Sequence, residues 1–175
     1  MFSYALGLLL HGGIKRQAMK VQIWSFGKDH EPYIREGMQL FSERLKHYCD
    51  FEVKVLNAGK GISGLSEREL KKKEAKILLS ILEPQHVLIV LDERGKELSS
   101  LQLSAFLQNH QVLASRTLVF LIGGAYGIDE SVLLKARSVF TLSHLTFPHQ
   151  LVRLIVAEQL YRAFTIINNE KYHHQ

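Results

Sequence analysis

The chain has 175 residues, 46% hydrophobic and 22% charged, which suits one globular domain with a sizeable core and excludes a disordered or low-complexity protein. A formal charge of +5 admits an anionic partner without demanding one. Cys49, the sole cysteine, excludes an internal disulfide and a cysteine-built zinc site and suits a reducing cytoplasm, while the nine histidines are scattered without an H-E-x-x-H, so no metal is expected.

Residues 1–18 read as an N-terminal extension outside the fold, and 19–175 as a single domain. Tyr4 to Leu10 is apolar, but Lys15 and Arg16 follow it instead of preceding it, and no A-x-A cleavage site is present. The run is too short to span a bilayer, so no membrane partner is expected. Translation is expected to start at Met19, with a surface-packed helix over the first residues as the alternative. Residues 20–26 then read as a strand and 32–49 as a helix with apolar residues at helical spacing. Alternation over 51–56 marks a strand with one wet face. A helix follows over 66–82, then a nearly continuous apolar strand over 86–92 of the kind buried in a parallel sheet. Residues 99–110 are helical, 117–123 form another buried strand, 129–136 a short helix, 138–143 a last strand and 148–167 a long helix. Five strands alternating with helices predict an α/β fold with a mainly parallel sheet.

Two glycine clusters compete for a ligand. GKGISG, Gly59 to Gly64, spells the G-x-G-x-x-G of a dinucleotide turn. Its context disagrees: Ser66 and Glu69 form a capping box that starts the helix beyond the third glycine, and position 79, where a ribose-binding acid belongs, is Leu79. A plain glycine loop is the better reading. FLIGGAYG instead puts Gly123, Gly124 and Gly127 at the end of a buried strand, where open α/β sheets bind ligands. LDERGK (91–96), read as a strand end followed by a charged turn, and SHLTFPHQ (143–150) are two similar edges. Whether the three meet in one pocket is not fixed by periodicity.

VLDERGK, FLIGGAYG, LTFPHQLVRLIVAEQLYRAF and the ending YHHQ resemble the bacterial SPOUT methyltransferases that methylate N-3 of a pseudouridine in 23S ribosomal RNA. The resemblance runs from Met19 to the C-terminus and is most specific from Thr146 to Phe164. It implies an α/β SPOUT fold with a C-terminal trefoil knot and an obligate homodimer. It also implies S-adenosylmethionine as cofactor and 23S rRNA in the assembled ribosome, at the helix 69 loop, as substrate. Carried over by motif, the cofactor would lie against Leu91, Gly123, Leu142, Ser143, His144, Leu145, Thr146 and Phe147.

The same resemblance makes Arg162 the catalytic arginine; from the residues alone the better reading is a helix-surface ion pair with Glu158, four positions earlier. Tyr172 and His173 lie in a stretch that would ordinarily fray, and the resemblance makes them functional, in a tail folded over the pocket. His173 would accept a proton and Tyr172 would hold the base. His149 reads as a structural contact at the start of the last helix and Arg153 as a cation for RNA or a partner. KKKEAK (71–76) reads as a solvated helix face. The last helix is apolar on almost every side and must be covered on most of them, which independently favours a dimer. Three rivals remain: a transfer-RNA methyltransferase, a non-catalytic ribosome-binding protein, and an oxidoreductase using Gly59 to Gly64.

Overall fold

The computed structural model describes residues 19–27, 31–59, 61–111 and 116–172; the N-terminal extension and His173 lie outside them. In chain order the elements are β1 (Lys20–Phe26), α1 (Pro32–Leu45), β2 (Asp50–Leu56), α2 (Glu67–Ile81), β3 (His86–Glu97), α3 (Ser100–Gln111), β4 (Thr117–Ile122), α4 (Glu130–Leu133), β5 (Ser138–Thr141) and α5 (His149–Ile167). The five strands form one parallel sheet in the order β2-β1-β4-β3-β5.

Two positions in this order follow from the sequence. Every residue of β4 is buried, so it takes the central position and needs a cover on both faces. The half-polar β2 lies at an edge, where one side of its pleat stays wet. Apolar residues of β1 divide between two cores. Val21 and Ile23 face α1, α3 and α5 together with Leu107, Leu160 and Phe164. Trp24 faces α2 and α4 together with Leu78, Leu121 and Val132. The result is a three-layer α/β sandwich.

α5 is the spine of the first face, between α1 and α3, with Val156, Ala157, Leu160, Ala163 and Phe164 fully buried. None of its residues is fully exposed. Close approach to α1 is set by Gly37, where a methyl group would lie 2.7 Å from Leu154 Cδ1. Arg153 is 1% exposed, so it is a core side chain and not the surface cation its sequence position implied.

Four boundaries depart from the sequence reading by two residues or more: α4 stops at Leu133 instead of 136 and β5 at Thr141 instead of 143, and two others shape the fold more. α1 stops at Leu45 instead of reaching Cys49, because Tyr48 and Cys49 N–H groups both turn back to the Leu45 carbonyl on the way into β2. β3 continues to Glu97 instead of ending in a charged turn. Leu91 and Lys96 both pair with Phe140 of β5, so the residues between them bulge out of the ladder and the strand then resumes. Gly95 allows the return: any Cβ there would lie 2.5–2.7 Å from the Phe140 backbone.

Candidate functional site

β3, β4 and β5 deliver their carboxyl ends to one side of the sheet, and a crevice of about 1210 Å³ opens there. Its walls are Leu91 with the β3 bulge, the turn 123–127 after β4, and the loop 141–147 between β5 and α5. All the residues expected at the cofactor line it: Leu91, Gly123, Leu142, Ser143, His144, Leu145, Thr146 and Phe147. The three strand edges therefore meet.

The turn 123–127 after β4 has three glycines, beside Ala125 and Tyr126. Gly123 is packed so closely that a Cβ would lie 2.7 Å from Ile128 Cδ1. Gly127 has φ +82°, a left-handed conformation that favours glycine, and its N–H donates to the Gly124 carbonyl at 3.1 Å to close the turn. The opposite loop is curled by its own hydroxyls. Thr141 Oγ1 donates to the Ser143 carbonyl at 3.0 Å, and Leu145 N–H donates to Ser143 Oγ at 3.0 Å. Leu145 is held 74% exposed at the mouth, an apolar side chain set beside polar main chain. Exposed apolar groups beside fixed backbone groups suit a small organic ligand held partly by main chain.

Charge enters from two directions. Asp92 sits on the bulge and accepts from Arg94 Nε at 2.7 Å and Nη2 at 3.0 Å. That pairing holds its carboxyl below the ordinary range despite burial, so it stays ionised. Arg68, Lys71 and Lys72 of α2 line the rim, which moves part of KKKEAK from a solvated face to the crevice mouth.

His149, the first residue of α5, also lines the crevice. Burial, with Arg153 adding to it, pushes its pKa below the usual imidazole value, so it is neutral at pH 7. An imidazole whose folded pKa is depressed gives stability that is present at neutral pH and lost as acid protonates the unfolded chain first. Wild-type protein is expected to melt progressively lower as pH falls below about 6.5. His149→Gln should flatten part of that slope, as scanning calorimetry at several pH values would reveal; a slope identical to wild type would contradict it.

Arg162 and Tyr172 are together, but elsewhere. Glu158 Oε1 accepts from Arg162 Nη2 at 2.6 Å, from Arg162 Nε at 3.0 Å and from the Tyr172 hydroxyl at 3.1 Å. The guanidinium lies 4.8 Å over the Tyr172 ring, and that ring meets Tyr161 edge-on at 4.8 Å. Burial and then Glu158 raise the phenol pKa, so Tyr172 keeps its proton. The ion pair with Glu158 is thus real, and it organises the whole cluster. α5 leaves the crevice at Val152 and reaches Arg162 ten residues later, about 15 Å along the helix. Neither Arg162 nor Tyr172 lines the crevice of its own chain. The tail was expected to fold over the pocket; as far as Tyr172 it folds instead onto α5, because Tyr161 and Glu158 give it an aromatic face and an acceptor there.

GKGISG is an open loop after the edge strand. Gly59, Gly61 and Gly64 have φ of +80°, +75° and +85°, and a Cβ on any of them would meet nothing within 4 Å. A dinucleotide turn packs its third glycine tightly against a strand. Ser66 caps α2 with Glu69 as the spacing predicted. None of these glycines lines the crevice.

Comparison with known proteins accounts for the arrangement. The family model described as "Predicted SPOUT methyltransferase" matches residues 19–173. The chain belongs to the SPOUT methyltransferase family. It is similar to Ribosomal RNA large subunit methyltransferase H of Parabacteroides distasonis, at 42% identity over 157 residues, 90% of this chain and 100% of the relative. The proteins of that name from Cytophaga hutchinsonii (42%, 89% of this chain, 100% of the relative) and Acetivibrio thermocellus (41%, 89% and 99%) are similar to the same extent. Among solved structures, the SpoU methyltransferase AviRb from Streptomyces viridochromogenes, in complex with AdoMet, aligns with a TM-score of 0.42 and 10% identity over 89% of this chain and 60% of its own, too distant to argue from.

Two features at and beside the crevice were not legible in the sequence. Glu74 is 8% exposed beneath the glycine turn, and its only sequence signal is a carboxylate on the stripe that buries Ala75 and Leu78. The Asp92–Arg94 pair was legible as a charged edge but not as a bulge. Cys49 has no place in the chemistry: it is buried, and its thiol is pushed up to about 12 by that burial and by Asp50.

Proposed function

We propose that the chain transfers the methyl group of S-adenosylmethionine to N-3 of a pseudouridine in 23S rRNA, at the helix 69 loop, and does so as a cytoplasmic homodimer on the assembled ribosome. The large-subunit rRNA is the target in the names of the full-length relatives. The particular base, and the ribosome as its setting, rest on the resemblance of LTFPHQLVRLIVAEQLYRAF and the terminal Tyr-His. The observation that carries the cofactor assignment is the convergence of Leu91, Gly123 and 142–147 on one glycine-walled crevice. A side chain at Gly123 would have to displace Ile128, so that wall favours a ligand read by main chain.

When bound, the cofactor supplies an electrophilic methyl on a sulfonium. The residues of the chain then have two tasks: to hold the acceptor in line and to favour loss of its N-3 proton. Arg162 is assigned to the second task, its guanidinium offsetting the charge that develops on the base. Tyr172, kept protonated by burial, is assigned to hold the base by hydrogen bonding or stacking. Glu158 keeps both in position. His173 remains the proposed proton acceptor on the strength of the resemblance.

The distance supports a site completed by a second chain. Arg162 stands about 15 Å along α5 from the crevice of its own chain. A two-fold partner paired near the middle of α5 exchanges the helix ends, carrying the partner's Arg162 end to this crevice. The half-buried Ile155 and Ile166, on the same side of α5 as Arg162, supply apolar surface for that contact.

The test is mass spectrometry of large-subunit RNA from cells lacking the gene. One pseudouridine is expected to lose its methyl group and to regain it with the intact gene. RNA unchanged by the deletion, or a lost methyl on transfer RNA, would contradict the reading.

A further inference from the structure

Glu74 lies on the inner face of α2, 8% exposed, with its carboxylate directly beneath the turn 123–127. A Cβ built on Gly124 would lie 2.5 Å from one carboxylate oxygen and 2.6 Å from the other. The Gly124 N–H donates to that carboxylate. Gly124 does not have the positive φ that reserves a site for glycine, as Gly127 does; an L side chain is compatible with its backbone. What excludes a side chain at Gly124 is Glu74 itself. The remaining charged groups around this carboxylate are Lys71, one turn earlier on α2, and Asp129, beyond the turn.

A buried carboxylate is costly and needs a reason. The turn is closed on itself by the antiparallel Gly124–Gly127 bridge, so what Glu74 adds is an anchor from α2 to the Gly124 peptide. We infer that Glu74 is a positioning residue for the cofactor: it reaches up from α2 to fix the Gly124 peptide, and so holds the turn 123–127 in the shape that binds S-adenosylmethionine. This rests on the crevice being the cofactor site, as proposed above. Glu74 does not line that crevice, so its effect passes through the turn. Cofactor affinity is therefore the quantity it controls, and the methyl-transfer step with bound cofactor is not.

The test uses the purified full chain, with S-adenosylmethionine binding followed by calorimetry and methyl transfer measured at saturating cofactor. Glu74→Ala is expected to raise the Kd about tenfold, the effect of losing a hydrogen bond to a charged group, with kcat held within about twofold. Glu74→Gln keeps the size and one acceptor oxygen and should return the Kd to within about threefold of wild type. Gly124→Ala presses a methyl group on the carboxylate and should weaken binding about tenfold alone but much less when combined with Glu74→Ala, a coupling expected only of residues in contact. Wild-type affinity in Glu74→Ala, an equal loss in Glu74→Gln, or additive effects of the pair would each overturn the inference. Should Glu74→Ala not fold, Gly124→Ala and Glu74→Gln decide it by the same criteria. Failure of the wild-type protein to bind S-adenosylmethionine would be a different result, and would remove the proposed function instead.

Discussion

Arg162→Ala is expected to lower kcat for methyl transfer by about 10²–10³-fold, the loss typical when a charge-stabilising group is removed from a reacting centre. S-adenosylmethionine affinity should stay close to wild type, because Arg162 is assigned to the acceptor base and not to the cofactor. Stability should change little. The pair with Glu158 is an i,i+4 contact whose side chains are 26% and 20% exposed, worth about 0.5 kcal/mol. The separation of these effects distinguishes a catalytic arginine from a helix-surface ion pair. Removing a mere ion pair would leave kcat unchanged. Arg162→Lys keeps the charge but loses the fork that holds Glu158 through Nε and Nη2, so it should recover only part of the rate. Single-turnover transfer to ribosomes from cells lacking the gene measures the rate directly. A lost cofactor affinity in Arg162→Ala would place the residue at the cofactor instead.

Gly95→Ala, in the strand just behind the crevice wall, should be the most damaging single added methyl group. Its Cβ would lie 2.5 Å from the Phe140 carbonyl carbon and 2.7 Å from the Phe140 Cα and nitrogen. All three are backbone atoms of the strand that β3 must rejoin, so no side chain can rotate away to relieve the clash. Overpacking of this kind costs about 3 kcal/mol, or roughly 6–12 °C in melting temperature for a domain of this size. Cofactor binding should fall too, since Leu91 and Thr141 flank the displaced segment and both line the crevice. Thermal melts with and without S-adenosylmethionine test both effects. A wild-type melt would mean that β3 and β5 do not rejoin beyond the bulge.

The elements themselves were legible because each is short and patterned by burial. β4 is apolar from Leu118 onward since both its faces are covered, and β2 alternates since it lies at the edge. The β3 bulge was not legible. Its charged residues look like a turn, and only pairing with β5, distant in sequence, restores the strand. The crevice was half legible for the same reason. Three strand ends were recognisable one by one, but their meeting depends on β3 lying between β4 and β5, an order no local pattern encodes. Glu74 was hidden because a lone carboxylate among lysines reads as solvated until its turn of helix is seen to face Gly124. Arg162 carried both its readings openly, and the ion pair and the Tyr172 contact prove to be one cluster.

The central claim is that each reaction centre takes its crevice from one chain and its Arg162–Tyr172 cluster from another. It is tested most directly by heterodimers purified through two different tags. One subunit carries Arg162→Ala. The other carries Gly127→Val, whose branched side chain cannot keep the φ of +82° that closes the turn and so disables the crevice. Each homodimer should be inactive. The heterodimer has one intact pairing, a sound crevice facing a sound Arg162, and should show about half the wild-type activity per dimer. A heterodimer as inactive as its parents, or a chain that forms no dimer at all, would contradict the account.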